Sequence, residues 1–177
     1  MKIEKGTSRI AVVGERSTLK FPQIHGILVL RELVNAIRSG SLREYLTESE
    51  KGRYNLRGQL LRGWFENLRE WRLSQEITGT IVPTRFSIFG LINLQDTAPD
   101  ADLKVGEVYN TLRAIIDEDL VHEHGGHTMR GGSNFGLHEG KLKLRDYGEL
   151  GLEVLLKQYG VELQQALDKT MAKIQAR

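Results

Sequence analysis

The sequence of 177 residues contains no cysteine and only three prolines. Without cysteine the chain can form neither a disulfide nor a thiolate metal site, which suits a reducing compartment. Its apolar runs stay below the roughly 18 residues that a membrane-spanning helix requires, and the N-terminal segment lacks the apolar core of a signal peptide. We therefore expect a cytoplasmic protein with no membrane partner.

A strong net charge is also lacking, since 25 Lys and Arg side chains leave a formal charge of +2 against 23 Asp and Glu side chains. Such a balance neither requires nor excludes a nucleic-acid partner, because binding depends on local clustering. The length fits one compact domain or two small ones. Breakers at Gly79 and Pro83 predict a boundary between an N-terminal region, 1–80, and a C-terminal domain, 86–177.

The N-terminal region combines one short β-rich run, Arg9 to Glu15, with helical patterns. The turn that ends this run lacks the further glycines and the lysine of a phosphate-binding loop, so we expect no nucleotide site there. The longest predicted helix, Tyr54 to Trp71, has one face of arginines interleaved with Glu66 and Glu70, which we interpret as solvated. Its apolar face would serve the core or oligomerisation and carries Trp64 and Trp71.

Within the C-terminal domain, apolar residues at helical spacing from Lys104 to Glu118 predict a helix of about four turns. A β-like stretch begins directly afterwards at Leu120–Val121. A glycine- and histidine-rich segment, 122–140, follows, and alternating leucines return around a turn at Glu139–Gly140. The predicted order is therefore a helix, a strand, a glycine-rich excursion and a returning strand.

The stretch "GEVYNTLRAIIDEDLVHE" resembles the recognition helix and first wing strand of winged-helix transcription regulators, above all the PadR family. The stretch "RDYGELGLEVLLKQYG" resembles the part after the wing that leads into a long dimerising helix. The resemblance implies a mostly α fold with a small β component (α+β), with a C-terminal winged helix-turn-helix and a terminal helix. The matching residues are Val108, Tyr109, Leu112, Asp117, Glu118, Asp119, Leu120 and Val121.

The same resemblance implies a DNA-binding protein with a transcription-regulatory role, acting as a homodimer on double-stranded DNA and needing no catalytic residue or cofactor. A recognition helix over 104–118 would enter the major groove, flanked by a wing over 122–140. Asparagine and arginine can pair with base edges, while lysine and arginine neutralise phosphates. The residues expected to contact DNA are Lys104, Asn110, Arg113, Arg130, Lys141, Lys143 and Arg145.

Two other functions stay open for the C-terminal domain. The acidic patch at 117–119 repels phosphate and favours a non-catalytic protein-interaction module. The histidines favour a small metalloprotein or metal-dependent enzyme that holds a divalent transition metal, because neutral imidazoles bind zinc, nickel and copper. On a strand His122 and His124 would share a face, with Glu123 or Glu139 as a base. The candidate ligands are His122, His124, His127 and His138.

Overall fold

The computed structural model describes residues 1–6, 8–23, 26–47, 56–149 and 151–177. The first three strands are β1 (Lys2–Lys5), β2 (Arg9–Val13) and β3 (Ser17–Pro22). They are followed by three helices, α1 (Gly26–Ser39), α2 (Leu42–Thr47) and α3 (Leu56–Glu76). The hairpin of β4 (Thr84–Ile88) and β5 (Ile92–Asp96) then completes the N-terminal sheet.

The C-terminal half consists of helices around a second hairpin. Its elements are α4 (Glu107–Leu112), α5 (Glu118–Arg130), β6 (Phe135–His138), β7 (Lys141–Leu144), α6 (Leu152–Gln158) and α7 (Gly160–Gln175). The hairpin joins the N-terminal half, because the Val82 N–H donates to the Leu144 carbonyl and the Leu144 N–H donates to the Thr80 carbonyl, both at 2.9 Å. The apolar core includes Leu73, Val108, Leu112, Val121, Met129, Leu155, Leu163 and Leu167.

The five-stranded sheet has the order β1-β2-β3-β5-β4, and every neighbouring pair is antiparallel. Residues aligned across strands share a face, and the register aligns Ala11 with Lys20 and Lys20 with Asn93. This face carries polar side chains yet points toward α3, where the Asn93 amide donates to the Asn67 carbonyl at 2.7 Å. Its buried polar residues are Arg9, Thr18, Lys20, Thr84, Asn93 and Gln95.

Helix α3 lies close to the start of β2 because Gly63 has no side chain. A Cβ atom at Gly63 would lie 2.1 Å from the Ser8 carbonyl oxygen and 3.0 Å from the Pro22 Cα. Glu66 and Glu70 are four residues apart and therefore lie on one side of the helix. Both are buried, so the prediction of a solvated face at these two positions is wrong.

The winged-helix prediction and its mostly α fold are wrong, although the chain is α+β. The N-terminal region is not helical with one short strand, because β1, β2 and β3 form a sheet with β4 and β5. Residues 104–118 are not one helix either, since α4 ends at Leu112 and α5 begins at Glu118. Part of the long N-terminal helix is confirmed by α3, whereas Tyr54 and Asn55 lie outside the described residues.

The first half of the predicted wing lies in helix α5, which ends at Arg130. The Asp117 carboxylate accepts a hydrogen bond from the Asp119 N–H at 2.8 Å, and Glu118 and Asp119 put negative charge in the first turn. Both features stabilise a helix N-terminus, which is why the acidic patch starts a helix here. The predicted turn at Glu139–Gly140 is confirmed, with φ angles of 53° and 74° between β6 and β7.

Gly125 in α5 allows close helix packing, so Gly125→Ala should destabilise the protein. The added Cβ would lie 2.4 Å from Leu155 Cδ1 and 3.1 Å from Leu152 Cδ2, both in buried side chains. We expect this overpacking to lower the free energy of unfolding by about 1–3 kcal/mol, measured by urea denaturation.

Gly126→Ala is the matched control for Gly125→Ala. Its Cβ would lie 3.2 Å from Nδ1 of His122, whose exposed side chain can move aside. Because alanine has the higher helix propensity, this variant should be as stable as the wild type or slightly more stable. Equal destabilisation by both substitutions would contradict the packing role of Gly125.

Candidate functional site

A cleft of about 300 Å³ lies between the polar face of the sheet and the loops on either side of the hairpin β6–β7. This volume is at the lower end of the range for small-molecule sites. The β1–β2 turn contributes Gly6 and Ser8 to the lining, and β2 and β3 contribute Arg9 and Lys20. Asn134, Arg145 and Asp146 line the side formed by the C-terminal half.

Lys20 on β3 forms a buried ion pair with Glu70 on α3. Its Nζ lies 2.9 Å and 3.0 Å from the two carboxylate oxygens and also donates to the Arg145 carbonyl at 2.9 Å. Three acceptors satisfy the three protons of the ammonium group. Burial lowers the pKa of Lys20, and Glu70 opposes this shift only in part.

Arg9 on β2 places a second buried cation beside Glu70. Its guanidinium lies 2.8 Å from a Glu70 oxygen and 3.4 Å from a Glu66 oxygen, and it also forms an ion pair with Asp146. Burial alone would lower the pKa of Arg9, but the three carboxylates outweigh burial and raise it. Arg9 therefore stays charged and ties β2, α3 and the segment after β7 together.

The sequence Asp146-Tyr147-Gly148 packs beneath α3, with each residue in a different environment. The Asp146 side chain is half exposed and lines the cleft. The Tyr147 ring is fully buried, and its hydroxyl donates to the Val82 carbonyl at 2.8 Å and accepts from Thr84 Oγ1 at 2.9 Å. A Cβ at Gly148 would lie 2.6 Å from the Glu66 carbonyl oxygen, so only glycine fits.

The charge of Asp146 is held by its neighbours. Partial burial alone would raise the pKa of its carboxyl, but Arg9, Lys20 and Arg62 together lower it. Its backbone neighbour is fixed as well, since the Tyr147 N–H donates to Glu70 Oε1 at 3.3 Å. Glu70 thus receives hydrogen bonds from both cations and from the chain next to Asp146.

Asn134 precedes the hairpin in the sequence, directly before β6, and lines the same cleft. Its side-chain amide donates to the Thr128 carbonyl at 2.9 Å, and its own carbonyl accepts from the Arg145 N–H at 2.7 Å. No acidic residue occurs between Thr128 and Asn134. The position five residues before Asn134 is Met129, which is buried.

The predicted DNA-contacting residues lie on several elements, and some are engaged within the protein. Lys143 is buried, and Arg145 donates to the Ala98 carbonyl at 2.9 Å and to Asp100 at 2.7 Å. Arg130 lies over the Tyr109 ring, 4.5 Å from its centroid. The remaining side chains are all exposed, and they are Lys104, Asn110, Arg113 and Lys141.

The predicted histidine ligands are separated by the fold. His122, His124 and His127 lie on α5, where a spacing of two residues puts His122 and His124 on opposite sides rather than on one strand face. His138 lies on β6 and is buried. Among the residues that the structure describes, no group of three or more His, Asp or Glu side chains could hold a metal ion.

Both ring nitrogens of His138 already have partners. Lys143 Nζ lies 3.1 Å from Nδ1, and Asp96 Oδ2 lies 3.1 Å from Nε2. Because a lysine ammonium can only donate, Nδ1 accepts and the Nε2 proton is donated to Asp96. Asp96 also accepts from Arg85, with Nη2 at 2.7 Å. This cluster joins β4 and β5 to the C-terminal hairpin.

Asp96→Asn should lower stability in a pH-dependent manner. Hydrogen bonds from Arg85, opposed by partial burial and assisted by His138, lower the pKa of the Asp96 carboxyl. The stabilisation is therefore present above the unfolded value of about 3.9 and is lost as the pH falls through the lower folded value. Urea unfolding should show a wild-type advantage at neutral pH that shrinks below about pH 4. A constant advantage through the acid range would contradict this origin.

Five residues that are central to this cleft were not predicted as site residues from the sequence. They are Arg9, Lys20, Glu70, Asn134 and Asp146. One signal was present, since a short hairpin pattern links an asparagine to an Asp-Tyr-Gly triplet. No known protein family, curated protein or solved structure matches the chain. The arrangement of these five side chains therefore carries the functional argument.

Proposed function

We propose that the cleft binds a nucleoside triphosphate in an arrangement like that of the protein kinases. The observation that carries the proposal is the Lys20–Glu70 ion pair, which joins β3 to α3 at a cleft also lined by Asp146 and Asn134. In protein kinases, a lysine of the third strand pairs with a glutamate of the next helix and holds phosphates. In protein kinases the Asp of a D-F-G triplet and an asparagine before it hold the Mg²⁺ ions that bridge the phosphates.

The order of these residues along the chain supports the analogy. Lys20 comes first, Glu70 follows on a helix, Asn134 precedes a hairpin and Asp146-Tyr147-Gly148 follows it. The turn between β1 and β2 lies at the cleft, as the glycine-rich loop of kinases does, although only Gly6 is a glycine there. This is an analogy of arrangement, and function is argued from the site rather than from the fold.

The cleft also matches the two ends of a nucleotide. Along β2 the cleft-lining residues change from the charged Arg9 to the apolar Ala11 and Val13. Ala98, which follows β5 in the sequence, adds a further apolar residue to the cleft lining. Phosphates would lie toward Arg9 and Lys20, and a flat base would pack against the apolar residues.

The proposal is limited to binding, because the base used by protein kinases is missing. Their catalytic loop places an aspartate five residues before the asparagine, where it accepts the proton of the substrate hydroxyl. Met129 occupies that position here, and a thioether cannot act as a base. Phosphoryl transfer to a hydroxyl group is therefore not part of the proposed function.

Binding of double-stranded DNA, a transcription-regulatory role and homodimerisation remain untested predictions. The DNA-binding prediction relied on a recognition helix over 104–118 and a wing over 122–140. The structure has α4, α5 and the β6–β7 hairpin in these ranges instead. Metal binding and a protein-interaction role are equally untested. No helix within the described ranges is long and apolar enough to cross a membrane, and a cytoplasmic location remains a prediction.

A thermal-shift survey with ATP, GTP, AMP and inorganic triphosphate tests the proposal. A ligand that binds only the folded protein raises its stability with the logarithm of one plus the ratio of ligand concentration to Kd. For a chain of this length we expect a rise in Tm of about 5–10 °C at a triphosphate concentration about 100 times Kd. A smaller rise with AMP would show that the β- and γ-phosphates contribute to binding. No rise with any nucleotide would refute the proposal.

A further inference from the structure

The carboxylate that would hold a divalent cation in a kinase-like cleft is already bound to an arginine. Arg9 Nη2 forms an ion pair with Asp146 Oδ1, and the same guanidinium contacts Glu70 at 2.8 Å. Arg9 is almost fully buried, so its guanidinium is a fixed part of the cleft wall. Its five donors on a planar fork suit carboxylates and phosphates equally well.

The remaining acidic groups around the cleft are also neutralised by protein cations. Glu66 accepts from Arg62 at 2.7 Å and from Ser8, and Glu70 is shared by Arg9 and Lys20. Glu4 pairs with Lys2 at 2.9 Å, and Asp96, which also lines the cleft, pairs with Arg85 at 2.7 Å. Magnesium prefers carboxylates that are free to complete an octahedral shell of oxygens. These residues therefore do not fit a divalent cation.

We infer that the cleft binds its nucleotide without a divalent cation, with Arg9 supplying positive charge to the phosphates. The inference rests on the proposed function and specifies its ligand as the metal-free triphosphate. Arg9 and Lys20 lie on adjacent strands, on one face, and both contact Glu70. A phosphate oxygen that replaces Asp146 at Arg9 leaves the half-exposed Asp146 carboxylate to water.

Calorimetric titration of the full chain with ATP, in EDTA and in excess magnesium chloride, tests this inference. We expect saturable binding in EDTA and a Kd that magnesium leaves unchanged or raises, because magnesium masks the phosphate charge that Arg9 recognises. Binding that tightens by about fivefold or more with magnesium would overturn the inference while supporting the proposed function. No binding under either condition would overturn both.

Asp146→Asn gives a second test that uses a side chain of the same size. In a metal-free site it removes a negative charge next to the phosphates and releases Arg9, so the affinity for ATP in EDTA should rise by about 3- to 10-fold. In a metal-dependent site the same substitution removes a ligand and weakens binding. A weaker affinity in Asp146→Asn would therefore contradict the inference.

Two further variants separate charge at the cleft from general effects. Glu139→Gln removes one negative charge from an exposed side chain outside the cleft lining, and its Kd for ATP should match the wild type. Arg9→Lys keeps a cation but loses the fork, so binding in EDTA should weaken by about 10-fold. Wild-type affinity in Arg9→Lys, with folding confirmed by circular dichroism, would exclude the forked contact.

Discussion

Replacing Glu70 with alanine is expected to lower the free energy of unfolding by about 3–5 kcal/mol, because removing one partner of a buried ion pair strands the other charge. Two cations depend on this carboxylate, Arg9 at 2.8 Å and Lys20 at 2.9 Å, and Glu70 itself is fully buried. The Tyr147 N–H also loses its acceptor. Urea denaturation followed by circular dichroism measures the loss.

Glu76→Ala on the same helix provides the control for Glu70→Ala. Glu76 is partly exposed and pairs with Lys157 at 2.7 Å on the surface. Water solvates both charges when such a pair is broken, so only a small loss of stability should follow. If Glu70→Ala were no more destabilising than Glu76→Ala, the buried charge network would not hold β2, β3 and α3 together as described.

Lys20→Met should separate nucleotide binding from stability. Methionine fills a similar volume without a charge, and Glu70 keeps Arg9 as its partner, so the free energy of unfolding should fall less than in Glu70→Ala. The affinity for ATP should fall by about 10- to 100-fold, since the attraction between the Lys20 charge and the phosphates is lost. Equilibrium binding of ATP and urea denaturation of the same preparation give both quantities.

Lys141→Met is the matched control for Lys20→Met. Lys141 is exposed on β7 and does not line the cleft. This variant removes the same charge from the protein as a whole, so unchanged ATP affinity would show that the position of Lys20 matters. Equal losses in both variants would mean that ATP responds only to net charge, which would contradict a specific phosphate site.

The N-terminal sheet could not be derived from alternation of apolar and polar residues, because its strands bury their polar side. In β3, Lys20 is buried against Glu70 while its neighbour Leu19 is only partly buried on the opposite face. A lysine is rarely buried unless it is paired, and its partner is 50 residues away. The pattern of neighbouring residues in the sequence therefore contains no information about this ion pair.

The C-terminal elements show what a sequence predicts well and where it fails. The turn at Glu139–Gly140 and the terminal helix are as predicted, and this helix buries Leu163 and Leu167. The glycines of α5 were interpreted as an excursion, whereas Gly125 instead packs against Leu155. Glycine is needed at this position because helix α6 packs closely against it, and only the tertiary structure shows this contact.

The cleft assembles residues from four distant segments, which explains why the cleft itself was not predicted. Arg9 and Asp146 are separated by 137 residues, and the ion pair between them forms only when the second hairpin is joined to the sheet. The Asp146-Tyr147-Gly148 triplet and Asn134 were visible in the sequence, but the resemblance to a winged helix assigned this stretch to a wing and the segment after it. Only the tertiary structure shows that this triplet lies against the sheet and α3.

The most direct test of the nucleotide-binding account is calorimetric titration of the purified wild-type chain with ATP. We expect saturable heat with one ATP bound per chain in EDTA, and we expect magnesium not to strengthen this binding. The absence of saturable heat up to millimolar ATP, with or without magnesium, would contradict it.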